Sequence, residues 1–205
     1  FNAIDIWQIK SLSVDIEKVI EIIELNYSPQ IFSCIDEILI GDFPQLKQRN
    51  VLAAYMDGAL YLSNEQKSTE DVVKSIIHEL GHALQEKFPE ILLDDELEQE
   101  FLNKRERIFY YLPDVYQTPI VKSWFLNSEF VSSMDEFLYK TLGYSALDSI
   151  SQQTFISPYA VTSLEEYFAN GLEHYLCYSQ AANIKSMCPT LYRKIQSVFN
   201  LLRRI

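Results

Sequence analysis

Two of the three histidines in this 205-residue chain, His78 and His82, stand four residues apart, and Glu79 follows directly after the first. They lie in SIIHELGHALQEKF, Ser75 to Phe88. On a helix, side chains four apart rise from the same face, so both imidazoles can take one metal ion between them. Glu79 stands beside that ion, where its carboxylate can remove a proton from a metal-activated water. This is the mechanical content of an H-E-x-x-H pattern. With so few histidines, a chance occurrence anywhere in the chain is on the order of one in a hundred or less. The flanking residues suit that use: Val73, Ile76, Ile77, Leu80 and Leu84 make an apolar stripe, while Ser75, His78, Glu79 and His82 make a separate polar face. A polar stripe on a buried helix needs partners. Gly81 lowers helix propensity by about 1 kcal/mol relative to Ala, which fits a position that another element approaches closely.

A catalytic zinc takes three protein ligands and leaves a position for water. His82 is not followed by H-x-x-G-x-x-H, so the third ligand must come from elsewhere. SLEEYFANGLEHYLCY, Ser163 to Tyr178, offers Glu165, Glu166, Glu173 and His174. Helical geometry sorts them. Leu164, Tyr167, Phe168, Gly171, Leu172 and Tyr175 form a wide apolar face, with Glu166, Ala169, Asn170 and Glu173 opposite. Glu166 is the expected third ligand and Glu165 the fallback. Asn170, one turn on, is placed to accept a hydrogen bond from the far nitrogen of a ligating imidazole, which fixes its tautomer. Glu173 reads as solvated and His174 as a structural histidine. Tyr159, seven residues before Glu166, carries a phenol that could donate to an oxyanion. Taken alone it reads as one of thirteen packing tyrosines.

The elements that must position these residues are also legible. Ser13 reads as the N-cap of an amphipathic helix through Ile16, Val19, Ile20 and Ile23 to about Tyr27. Ile35 to Pro44 reads as a short strand. Val51 to Ser63 is two apolar runs around Asp57-Gly58, a hairpin signal. Ser68 and Asp71 resemble a capping box opening the histidine helix, and Phe88-Pro89 closes it. A charged, then aromatic helix follows and ends at Pro113. Two or three shorter helices lie around Trp124-Phe125, Phe130 and Phe137-Leu138. Ser163, with Glu166 as box partner, opens a helix to about Ser179, and a last helix runs from Pro189 to Leu202, with Arg203-Arg204 meeting its dipole. The class is α+β, mostly helical, with a small N-terminal mixed sheet, in a single domain over residues 1–205.

Bulk composition narrows the partners. Hydrophobic residues make up 48%, which argues for a packed core, and a net charge of −12 argues against nucleic acid. No apolar run is long enough for a membrane span. Cys34, Cys177 and Cys188 form no CxxC pair, which slightly favours a reducing, cytosol-like compartment. No signal peptide opens the chain, and its first residue is Phe, as in a processed product or part of something longer.

HELGH, followed after a gap by a tyrosine seven residues ahead of a glutamate within E-E-Y-F-A, resembles the gluzincin metallopeptidases related to anthrax lethal factor and the secreted Pro-Pro endopeptidases. The match covers two blocks, about Thr69 to Phe88 and Ser157 to Leu172. The resemblance implies a zincin-like fold in which His78, His82 and Glu166 bind one Zn2+. It makes Glu79 the general base and Tyr159 the donor to the tetrahedral intermediate. The implied activity is that of a zinc-dependent endopeptidase on a peptide or protein substrate. Zincin-like folds place an edge strand before the active helix to pair with an extended substrate, here Ala53, Ala54 and Tyr55, or Ala59, Leu60 and Tyr61. The interval of 84 residues between His82 and Glu166 exceeds that of compact members, so about 94–157 reads as a helical insertion walling the cleft. The competing expectation is a catalytically silent, zincin-fold binding or structural component of a larger assembly, a virion or toxin particle. Retention of Glu79 and Tyr159 beside three ligands argues against it.

Overall fold

A computed structural model of the chain describes residues 5–8, 14–115 and 121–203. Its contacts divide into two compact units, one comprising Phe1–Lys87 with Phe199–Ile205 and the other Phe88–Val198. The architecture is α+β and mostly helical, with one small mixed sheet.

In the first unit the chain runs through β1 (Asp5–Gln8), α1 (Ile16–Asn26), a 3-10 turn (Pro29–Phe32), β2 (Glu37–Gly41), α2 (Pro44–Arg49), β3 (Ala53–Met56), β4 (Ala59–Ser63) and α3 (Thr69–Lys87). Asp15 caps α1, its Oδ1 accepting from the Glu17 and Lys18 amides. Ser13, read from the sequence as this cap, lies outside the described residues. The strand order is β1-β2-β4-β3, parallel except for β3, which runs antiparallel to β4 at one edge. Asp57 (φ 51°) and Gly58 (φ 84°) are both left-handed, the two-residue turn that matches strand twist. The positive φ favours glycine at position 58, and a Cβ there would also lie 2.6 Å from Asp36 Oδ2, so that carboxylate would have to shift. Ser68 Oγ accepts from the Asp71 amide at 3.1 Å and opens α3. That helix packs on α1, β3 and β4. Val73, Ile76, Ile77, Leu80 and Leu84 are buried with Ile38, Ile40, Leu60 and Leu62.

The second unit holds α4 (Pro89–Leu92), α5 (Asp95–Val115), α6 (Lys122–Phe125), α7 (Ser132–Glu136), a π-helical stretch (Phe137–Leu142), α8 (Tyr144–Ser151), a 3-10 turn (Tyr159–Val161), α9 (Leu164–Cys177), α10 (Ala181–Met187) and most of α11 (Pro189–Leu202). Pro113 does not end α5, which continues to Val115. A proline here gives up its i→i−4 hydrogen bond and crowds the carbonyl four residues back, a cost that falls only on the last three residues of the helix. Phe130 belongs to no helix and is 49% exposed. α10 has no counterpart in the sequence reading. Phe101, Phe155 and Tyr167 form a mutual aromatic cluster with ring centroids 5.5–5.9 Å apart. Beside it, Glu100 accepts from the Tyr167 hydroxyl and from the Thr190 and Leu191 amides, placing a carboxylate on the N-terminus of α11.

Candidate functional site

The 19-residue helix α3 presents its polar face as the period requires. The His78 and His82 rings stand one turn apart, half-buried, with centroids 5.2 Å from each other. Glu79 is only 7% exposed, although it is a carboxylate. Its Oε2 accepts a 2.8 Å hydrogen bond from the backbone N–H of Tyr55 on β3. Register explains why that N–H is available. Ala54 pairs with Tyr61 and Met56 with Ala59, and the Ser63 amide donates to the Leu52 carbonyl. Alternation along an antiparallel ladder then turns the amides of Ala53 and Tyr55 away from β4.

Of the two strands considered for substrate pairing, β3 is the edge and β4 lies between β2 and β3. Among the described residues Ala53, Ala54 and Tyr55 therefore sit on an edge strand, whose outer side gives the Tyr55 amide to Glu79, while Ala59, Leu60 and Tyr61 are enclosed. The Tyr55 phenol lines a cavity of about 390 Å³ together with Cys34, Asp36 and Glu86. Burial, with the Glu86 carboxylate nearby, pushes it up to about 12. What Tyr55 has left to offer along the outer side of the strand is its backbone carbonyl.

The second set of residues is built around α9. Ser163, fully buried, caps this helix by accepting from the Glu166 amide at 3.2 Å. The Leu164 amide donates to the Ser128 carbonyl, so the first turn is also held by the loop after α6. Glu165 and Glu166 are half-buried. Asn170, 5% exposed, donates through Nδ2 to the Glu166 carbonyl at 2.9 Å and accepts through Oδ1 from Ser157 at 2.8 Å. Ser157 Oγ in turn accepts from the Ala160 amide at 3.1 Å. Tyr159 lies between those two residues and opens the 3-10 turn. His174 contacts Gln180 through Nδ1 and stacks on Tyr178 at 4.7 Å, a histidine engaged within its own segment.

α3 thus carries His78, Glu79 and His82, while α9 carries Glu166 and Asn170 and the turn before it carries Tyr159. Three contributors are absent from the sequence reading. The Tyr55 amide is a backbone group, invisible to residue-type reasoning. Ser157 looks like any loop serine until Asn170 is folded against it. Asp135 on α7 is the third: burial raises its carboxyl above the ordinary range, and the Glu166 carboxylate raises it further. Nothing in the local pattern of SSMDE pairs Asp135 with a residue 31 positions on. No helix among the described residues is long and apolar enough to cross a membrane. No family model matches this chain, and neither a curated protein nor a solved structure does.

Proposed function

We propose that this chain is a zinc-dependent endopeptidase of zincin-like fold, in which His78, His82 and Glu166 hold one zinc ion. Each offers one donor atom, an imidazole nitrogen or a carboxylate oxygen. Two imidazoles and one carboxylate make a donor set that suits zinc and leaves a coordination position open. When bound, the metal supplies Lewis acidity toward a water and a carbonyl oxygen. The chain's own residues do the rest. Glu79 accepts the proton of the attacking water and delivers it to the leaving amine. Tyr159 donates from its hydroxyl to the oxyanion. The outer side of β3 offers the Ala53 amide and carbonyl and the Tyr55 carbonyl to an extended substrate, the Tyr55 amide being held by Glu79.

The observation that carries this reading is the seating of Glu79. A buried carboxylate one residue after His78, with one oxygen held on the edge-strand amide, is costly for a merely structural helix and useful for a general base. The test is metal analysis with a peptide-library cleavage assay on the wild type and Glu79→Gln. Stoichiometric zinc in both, with cleavage only in the wild type, supports the proposal. Zinc bound without Glu79-dependent cleavage sinks it in favour of a binding role. Full zinc affinity in Glu166→Ala would move the third ligand to Glu165.

A further inference from the structure

We propose that Ser157 and Asn170 form a latch that sets where the Tyr159 phenol stands relative to the helix carrying Glu166; the inference rests on the peptidase reading above. The turn that holds Tyr159 is short. It is closed by the Val161 amide on the Pro158 carbonyl at 3.3 Å and the Thr162 amide on the Tyr159 carbonyl at 3.0 Å. Such turns have poor hydrogen-bond geometry and hold little by themselves.

The added constraint comes from α9. Ser157 and Ala160 flank Tyr159 on either side, and both are tied to the Ser157 hydroxyl, one as its owner and one as its donor. That hydroxyl is fixed on Asn170 Oδ1, while Asn170 Nδ2 binds the Glu166 carbonyl. One buried amide side chain therefore references the Tyr159 turn and the Glu166 backbone to each other. Because both ends of the amide are engaged and Asn170 itself is buried, rotating it would set its carbonyl oxygen against the Glu166 carbonyl. A donor to an oxyanion works only within a narrow range of distance, so a reference of this kind matters more to Tyr159 than to an ordinary surface tyrosine. Ser157 and Asn170 are positioning residues in this scheme.

A double-mutant cycle in the zinc-loaded full chain tests it, with Ser157→Ala and Tyr159→Phe made singly and together. Ser157→Ala should lower kcat roughly ten-fold, with KM and zinc content unchanged. In the Tyr159→Phe background it should cause no further loss, because the misplaced group is already gone. Ser157→Thr, which keeps the hydroxyl, should restore most of the rate. A readout independent of cleavage is amide exchange at Ala160, which should accelerate in Ser157→Ala. If Ser157→Ala does not fold, Asn170→Ala takes its place in the same cycle. Equal losses in both backgrounds, or unchanged Ala160 exchange, would overturn the latch while leaving the peptidase reading standing. A wild type that binds zinc and cleaves nothing overturns that reading instead, and removes the latch's catalytic purpose with it.

Discussion

Tyr159 and Arg105 show how differently single residues here can matter. Replacing Tyr159 by Phe removes a hydroxyl and little volume. If the chain is the peptidase proposed, steady-state cleavage assays should show kcat falling about 10²–10³-fold with KM nearly constant, the pattern of a group used only in the transition state. Arg105 on α5 is fully buried between the Phe101 and Phe125 rings and donates to the Asn127 carbonyl. Its Nε and Nη2 have no hydrogen-bond partner among the described residues, and burial lowers its guanidinium to about 10. The stacked, desolvated guanidinium contributes mainly through packing. Arg105→Met should therefore change stability by less than about 1.5 kcal/mol. Arg105→Ala, which leaves a cavity, should cost about 2–5 kcal/mol. Urea unfolding of the two variants checks the contrast, and equal losses would refute the packing account.

Among the elements, α9 carries the most consequence per residue. Its cap is read directly from Ser163 and the glutamate three positions on, and the structure places the Ser163 hydroxyl on the Glu166 amide. Ser163→Ala should destabilise the protein by about 1 kcal/mol, as lost caps generally do, and should weaken zinc binding if Glu166 is a ligand. Denaturant titration and metal competition measure the two effects separately. Gly171 illustrates what capping rules cannot reveal. A Cβ there would lie 2.5 Å from Leu191 Cδ2 and within about 3 Å of two further Leu191 side-chain atoms. Gly171→Ala would gain about 1 kcal/mol of helix propensity in isolation. Overpacking against a fully buried leucine, at about 1–3 kcal/mol, should outweigh that gain. A stabilised Gly171→Ala variant would show that α11 yields more readily than its burial suggests.

For the whole molecule, pH and metal are the informative variables. Burial pushes the Cys34 thiol from 9.0 up to about 11; Asp36 and Glu86 act in the same direction, while Lys87 opposes them. Below about pH 9 the thiol is protonated in both states, and its contribution is fully present. Between there and about 11 the unfolded chain ionises first, so stability falls as pH rises. Tyr55, pushed up to about 12, extends the loss in the same sense. Cys34→Ala should flatten the alkaline slope in thermal melts across that window, and an unchanged slope would exclude Cys34 as its source. If zinc is bound as proposed, removing it with a chelator should lower Tm, because a ligand that binds only the folded state stabilises it by RT ln(1 + c/Kd) at free ligand concentration c. The sequence by itself determined what is local: the face shared by His78 and His82, the Asp57-Gly58 turn and the Ser163 cap each follow from backbone periodicity or cap chemistry within one or two turns of chain. Tertiary structure alone decided that β3 and not β4 is the edge, that the Tyr55 amide meets Glu79, and that Ser157 meets Asn170. Those pairings join segments 13 to 24 residues apart or depend on strand order. They are set by which buried polar groups can satisfy one another once the apolar faces have packed, and no local pattern encodes that outcome.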